Sequence, residues 1–108
     1  MLYTLDMGFD VFEKRPELSQ TLAYTLARGL CESTADWLLC DFSDGAKKYS
    51  AAEILAAAVA LSRRINRAEI GKRAAVAIAP SYLAFVANYA CVFAGVNPIN
   101  INFTLGPV

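Results

Sequence analysis

The C-terminal third of this chain carries no charged side chain. Between Ala74 and Val108 there is no Asp, Glu, Lys or Arg, so all ten acidic and all ten basic residues lie before Ala74. This composition is typical of a protein interior, because charged residues are rarely buried without a partner. The segment needs other structure to cover it, and little sequence remains to do so. We therefore expect residues 1–108 to form a single incomplete domain, the opening of a larger protein.

Composition and charge narrow the function classes further. The chain has 108 residues, 56% of them hydrophobic, which is a high share for one small domain. Its formal net charge is zero, and its like charges cluster only in pairs such as Arg63-Arg64 and Lys72-Arg73. Nucleic-acid binding usually requires a basic face, so we expect no nucleic-acid partner.

The chain contains no histidine. Histidine-activated serine or cysteine nucleophiles are thereby excluded, together with the commonest transition-metal ligand. Its three cysteines, Cys31, Cys40 and Cys91, show no C-x-x-C spacing. We interpret them as small apolar residues of a reduced, cytoplasmic protein, the alternative being a reactive thiol.

Residues 74–96 are uncharged and long enough to cross a bilayer. Pro80 and Ser81 interrupt this run early, Asn88 lies inside it, and no basic cluster follows it. The N-terminus has early acidic residues and no long apolar run, so it does not resemble a secretory signal. We therefore expect no stable membrane span.

The first half of the chain predicts a helix followed by a β-hairpin. We expect an irregular lead-in over residues 1–17. Apolar residues at helical spacing predict a helix over residues 18–30, with its exit at Gly29 and Ser33-Thr34. Residues 37–42 predict a strand, Ser43-Asp44-Gly45 a turn, and residues 47–49 the return strand.

A capping box marks the next helix. In Ser50-Ala51-Ala52-Glu53 the hydroxyl and the carboxylate can satisfy N–H groups of the first turn. The apolar stripe that follows makes this helix amphipathic. Its members are Ile54, Leu55, Ala58, Leu61, Ser62 and Ile65.

The charge-free third predicts a strand, a helix and a second strand. Residues 74–79 predict a strand buried on both faces, and residues 82–94 a helix covered on more than one side, with Gly95 as its C-cap. Residues 97–103 alternate polar and apolar side chains, as a strand does. Together these elements predict a right-handed βαβ unit, so the fold class is α/β with a parallel sheet.

Two stretches resemble a known family. Residues 49–55 look like an aromatic residue followed by S/T-x-x-E-L, and residues 75–102 look like V-A-I-x-x-P-N-S followed by A-x-x-x-A-G-x-x-x-x-P-x-N, although Ser81 stands where asparagine is common. Through these stretches the chain resembles the N-terminal portion of the adenylate-forming (AMP-binding) superfamily, of the acyl-CoA synthetase and acyl-carrier-protein ligase type. The resemblance extends over residues 20–107. The N-x-T-x-G motif at residues 102–106 is similar to the motif found at this point in the ligases that load fatty acids onto carrier protein.

The resemblance implies a parent enzyme that uses ATP and Mg²⁺ to convert a fatty acid to an acyl-adenylate and then to a thioester. In this family the phosphate loop, the acidic magnesium ligands and the catalytic lysine lie downstream of the matched region. The six glycines here are scattered singly and form no phosphate cradle. We therefore predict no catalytic, cofactor-binding or metal-binding residue in this chain, and no activity of the chain alone.

Three features have two interpretations each. Ser81 is either a nucleophile at a strand-to-helix turn or, as we favour, a helix N-cap. The asparagines of the last strand either line a ligand cleft or are polar positions of an incompletely covered strand. They are Asn97, Asn100 and Asn102. The aromatic residues of the preceding helix form either an acyl-chain groove or core. They are Tyr82, Phe85, Tyr89 and Phe93.

Two functions remain open. The first is the N-terminal segment of an acyl-activating ligase, whose partner is the remainder of the parent enzyme. The second is a stand-alone interaction module without enzymatic activity. In both cases the uncovered C-terminal third predicts self-association.

Overall fold

The computed structural model describes residues 20–102, and the predicted lead-in over residues 1–17 lies outside them. The chain is of the α/β class, as predicted. In chain order its elements are α1 (Leu22–Glu32), β1 (Leu39–Asp41), a 3-10 turn (Phe42–Asp44), β2 (Lys47–Tyr49), α2 (Ala51–Ala68), β3 (Arg73–Val76), α3 (Tyr82–Phe93) and β4 (Asn97–Asn100).

The first helix begins and ends later than the sequence predicts. Its N-cap is Thr21, whose side chain accepts a hydrogen bond from the backbone N–H of Tyr24. This cap places the start at Leu22 rather than at residue 18. Gly29 lies inside the helix rather than at its exit, and the C-cap is Ser33.

The hairpin is confirmed: β2 spans residues 47–49 as predicted, and β1 is shorter than the predicted residues 37–42. β1 and β2 pair antiparallel, with Asp41 opposite Lys47. β1 stops at Asp41 because the side chain of that residue accepts from the backbone N–H of Ser43 and so begins the 3-10 turn. Gly45 and Ala46 both have positive φ, which returns the chain into β2.

The capping box of α2 is formed as predicted. The Ser50 hydroxyl accepts from the backbone N–H of Glu53, and the Glu53 carboxylate accepts from that of Ser50. Ile54, Ala58 and Ser62 on the predicted stripe are buried. The helix ends at Ala68, where Glu69 adopts a left-handed conformation.

β3 and β4 pair in parallel through α3, as the predicted βαβ unit requires. β4 ends at Asn100, although the backbone N–H of Ile101 still donates to the carbonyl of Val76. Phe103, the predicted end of this strand, lies outside the described residues. The C-cap of α3 is Ala94, one residue before the predicted Gly95, which follows it with a left-handed φ of 73°.

The sheet is covered on one face only. The prediction that β3 is buried on both faces is wrong, because Ala74 and Val76 point inward while Arg73 and Ala75 are exposed. Among residues 20–102 no second layer of helices covers the outer side. The exposed apolar residues there are called the open sheet face below. They are Ala75, Ala77, Ile99 and Ile101.

α3 is covered on more than one side, as predicted, and it separates two hydrophobic clusters. Towards α2 and the parallel sheet, Ala87 and Cys91 pack with Val76 and Val96. Towards α1 and the hairpin, the α3 aromatics surround a cluster formed by Leu30, Ala51 and Ile54. The side of α3 that faces the first cluster thus carries small residues, and the side that faces the second carries aromatic residues.

Candidate functional site

A cleft with a volume of about 490 Å³ lies between the hairpin and the N-terminus of α3. It is open to solvent at the side of Phe42, whose side chain is 83% exposed. Both β1 with its turn and the first half of α3 contribute to the walls. The lining residues are Leu39, Cys40, Asp41, Phe42, Ser43, Pro80, Ser81, Tyr82, Ala84, Phe85 and Asn88.

Asp41 holds the two walls of this cleft together. One carboxylate oxygen accepts hydrogen bonds from the backbone N–H of Ser43, at 2.8 Å, and from the Ser43 hydroxyl. The other accepts from the backbone N–H of Tyr82, also at 2.8 Å. Asp41 is only 7% exposed. The carboxylate therefore joins the hairpin turn to the first residue of α3.

The same contacts determine the charge of the site. The hydrogen bond from the Ser43 hydroxyl, followed by that from the backbone N–H of Tyr82, lowers the pKa of Asp41 below its usual 3.8. Asp41 is ionised at neutral pH and its negative charge lies at the positive end of the α3 dipole. This arrangement makes the carboxylate a weak base. It also disfavours a second anion in the cleft.

Ser81 is the N-cap of α3. Its hydroxyl accepts from the backbone N–H of Ala84 at 3.3 Å and donates to the carbonyl of Ala79 at 2.9 Å. The hydroxyl is used as both donor and acceptor, and the sequence has no histidine to deprotonate it. These contacts agree with the favoured capping interpretation rather than with a nucleophile.

The three asparagines that the sequence predicts for the last strand do not converge on the cleft. Asn100 pairs with Asn88 of α3 through two amide hydrogen bonds of 2.8 and 3.0 Å, and Asn88 also donates to the carbonyl of Ala84. Asn97 lines a different hollow, near the C-terminal end of α3, and Asn102 is exposed. The asparagine pair thus fixes β4 to α3.

The α3 aromatics belong to the packing around the second cluster. The Tyr82 ring stacks on Tyr49 with a centroid distance of 3.7 Å, and the Phe85 ring lies 4.5 Å from that of Tyr89. All four α3 aromatics are half-buried. Of the four, Tyr82 and Phe85 also line the cleft, so they serve as core and as one apolar wall.

Of the three cysteines, Cys91 fits the interpretation as a small apolar residue. Cys31 is exposed, Cys40 is half-buried, Cys91 is buried, and none of them forms a disulfide. Burial raises the pKa of the Cys91 thiol, which lowers its thiolate fraction and its nucleophilicity.

Residues 20–102 hold no group of three His, Cys, Asp or Glu side chains that could bind a metal ion. The glycines among them, Gly29, Gly45, Gly71 and Gly95, stand at separate places and form no phosphate loop. No catalytic step is assigned to this chain. What the cleft can do is hold an apolar group beside polar backbone and hydroxyl groups.

Two residues of the cleft, Asp41 and Asn88, are not predicted as site residues from the sequence. Asp41 is marked only by its place at the end of an apolar strand, two residues before a serine, a pattern typical of an Asx turn. Its bond to Tyr82 joins residues 41 positions apart. Asn88 is marked only as a polar residue inside an apolar helix. Neither signal identifies the partner.

No helix in the described part of the chain is both long and apolar enough to cross a membrane. Among residues 20–102 the helix without charged side chains is α3, with 12 residues. Comparisons of the chain with protein-family models, with curated proteins and with solved structures found no match. The function is therefore inferred from the sequence and structure of this chain alone.

Proposed function

We propose that this chain is the N-terminal portion of a cytoplasmic, AMP-forming acyl-activating ligase of the adenylate-forming superfamily. The parent enzyme would use ATP and Mg²⁺ to activate a fatty acid for transfer to a thiol. The chain itself supplies scaffold and no catalytic group. Its partner in this proposal is the remainder of the parent enzyme.

One observation carries the proposal. The family-like stretch over residues 75–102 coincides with the parallel β3-α3-β4 unit, and this unit has an open sheet face. Ala75 and Ile99 are directly paired on that face, and Ile99 is 51% exposed. A parallel sheet normally has both faces covered by helices. Further layers of a larger domain would supply this cover.

A second observation supports the same assignment. The other family-like stretch, residues 49–55, spans the end of β2 and the capping box of α2. Tyr49 of this stretch stacks on Tyr82, the first residue of α3. The two stretches are therefore in contact, so the resemblance covers one packed unit rather than two unrelated segments.

The test is ATP–pyrophosphate exchange with Mg²⁺ and a panel of fatty acids. It is applied to residues 1–108 and to the protein expressed with any coding sequence that follows residue 108. We expect exchange only with the longer protein. Exchange by residues 1–108 alone would contradict a purely structural role. A longer protein that folds and binds no ATP would contradict the family assignment.

The second candidate is a stand-alone interaction module that associates with a second copy of itself. The open sheet face favours it, because exposed apolar sheet surfaces and strand edges promote association. A stop codon directly after residue 108, together with a stable dimer, would support this candidate over the ligase. An open reading frame that reaches a glycine-rich phosphate loop would support the ligase.

A further inference from the structure

Five of the ten basic residues lie within residues 63–73, which span the C-terminal end of α2, the loop that follows it and the first residue of β3. Glu69 is the one acidic residue between the first and the last of them. All five side chains are exposed. This group is called the basic patch. Its members are Arg63, Arg64, Arg67, Lys72 and Arg73.

The three arginines of the patch lie on one side of α2. At 3.6 residues per turn, Arg63, Arg64 and Arg67 fall within an arc of about 100°. Within residues 20–102 the ion pair is Arg28 with Glu32, so none of the patch cations is neutralised by a described carboxylate. Arg67 lies in the last turn of α2, where a positive charge interacts favourably with the helix dipole. This interaction does not explain the positions of the other four basic residues.

An apolar residue stands inside the patch. Ile70 is 46% exposed in the loop between α2 and β3. The backbone on either side is held in left-handed conformations, with φ of 50° at Glu69 and 89° at Gly71. Cations beside an exposed isoleucine match a surface with negative charge outside and hydrocarbon beneath.

We propose that the basic patch binds the surface of an anionic phospholipid bilayer. Each lysine or arginine near such a surface raises the affinity about fivefold, and Ile70 adds shallow apolar contact of the kind made by interfacial segments. Nucleic acid fits less well, because residues 63–73 contain no aromatic side chain on which a base could stack. The contact is peripheral and requires no spanning helix.

The test is co-sedimentation of the full chain with vesicles. One set consists of phosphatidylcholine and the other of phosphatidylcholine with phosphatidylserine. We expect binding to the anionic vesicles only, weakening steeply with added salt. The variant R63Q/R64Q/R67Q keeps good helix formers on the exposed side of α2. Its affinity should fall on the order of 100-fold, since three charges are removed.

A matched control removes three positive charges elsewhere. The variant R28Q/K47Q/K48Q has the same net charge as the patch variant, and its lysines precede the start of α2. Because α2 has 18 residues and is about 27 Å long, β2 and the patch arginines lie towards opposite ends of the helix. The control should retain most of the binding. Circular dichroism of both variants checks that the helices remain formed.

Three results would overturn the proposal. The first is equal binding to neutral and anionic vesicles. The second is an equal loss of binding in the patch variant and the control. The third is binding of a duplex DNA probe through the same arginines without vesicle binding, which would assign the patch to nucleic acid instead. An additional I70S variant that weakens vesicle binding without changing its salt dependence would support the apolar contact.

Discussion

The carboxylate of Asp41 accepts a hydrogen bond from the backbone N–H of Tyr82, 41 residues further along the chain, at 2.8 Å. Through this bond the hairpin supplies a charged cap to the helix that begins at Tyr82. Ser81 supplies the second cap of the same helix from within its own sequence. The N-terminus of α3 is thus held by one local and one distant side chain.

The first prediction concerns pH. Hydrogen bonds lower the pKa of Asp41 in the folded state, so its ionised form stabilises the fold. This stabilisation is complete above the unfolded pKa of about 3.8 and is lost as the pH falls through the lower folded-state pKa. We expect D41N to be less stable at pH 7 and the difference from the unaltered chain to shrink under acid conditions.

Urea unfolding followed by circular dichroism at several pH values measures this difference. The control is D44N, which removes an exposed carboxylate from the same turn. If the difference in the free energy of unfolding between D41N and the unaltered chain stays constant down to low pH, the assigned role of the carboxylate is contradicted.

The second prediction concerns Ser81. Because its hydroxyl caps α3, S81A should lower the free energy of unfolding by about 1 kcal/mol, whereas S81T should lower it less. Thr34, an exposed residue after α1, gives a control in which T34A changes stability by less than about 0.5 kcal/mol. Covalent labelling of Ser81 by a fluorophosphonate would count against the capping role.

The third prediction concerns Asn88 and Asn100. Their two amide hydrogen bonds join α3 to β4, so the single variants N88A and N100A should not be additive. A double-mutant cycle should give a coupling of about 0.5–1 kcal/mol. The matched cycle of N88A with N97A should be additive within about 0.5 kcal/mol. Equal coupling in both cycles would show that the amide pair has no specific role.

The fourth prediction concerns the core. Ile54 is fully buried between the hairpin, α1 and α3. I54A should destabilise the chain by about 2–5 kcal/mol, because it removes buried methyl groups and leaves a cavity. L83A alters a side chain that is 56% exposed on α3, and it should change stability by less than about 0.5 kcal/mol. Chemical denaturation of both variants makes the comparison.

Local signals in the sequence predicted the element order and several caps. The capping box at Ser50 and Glu53, the N-cap at Ser81 and the hairpin at Gly45 each depend on residues at most three positions apart. Such contacts are specified by the segment that contains them. The parallel pairing of β3 and β4 was also predictable, because a strand, a helix and a strand in short succession have few alternative arrangements.

Distant contacts were not predictable in this way. The bond from Asp41 to Tyr82 depends on how the hairpin packs against α3, and no spacing in the sequence encodes that distance. The exposure of Ala75 was also missed. A continuously apolar strand predicts burial on both faces, but within residues 20–102 only one layer of helices covers it. A continuously apolar strand indicates that both of its faces are to be covered, but it does not identify the structure that covers them.

The last prediction concerns self-association through the open sheet face. Ile99 is 51% and Ile101 is 47% exposed there, and the paired Ala75 beside Ile99 is exposed as well. Burying these side chains against a second copy would remove apolar surface from water. We expect the unaltered chain to associate as its concentration rises, and I99K/I101K to remain monomeric, in sedimentation velocity experiments. L83K places a lysine at a similarly exposed position of α3, outside this face, and should associate like the unaltered chain. A monomeric unaltered chain at high concentration, or an equal effect of L83K, would remove the open sheet face as the contact surface.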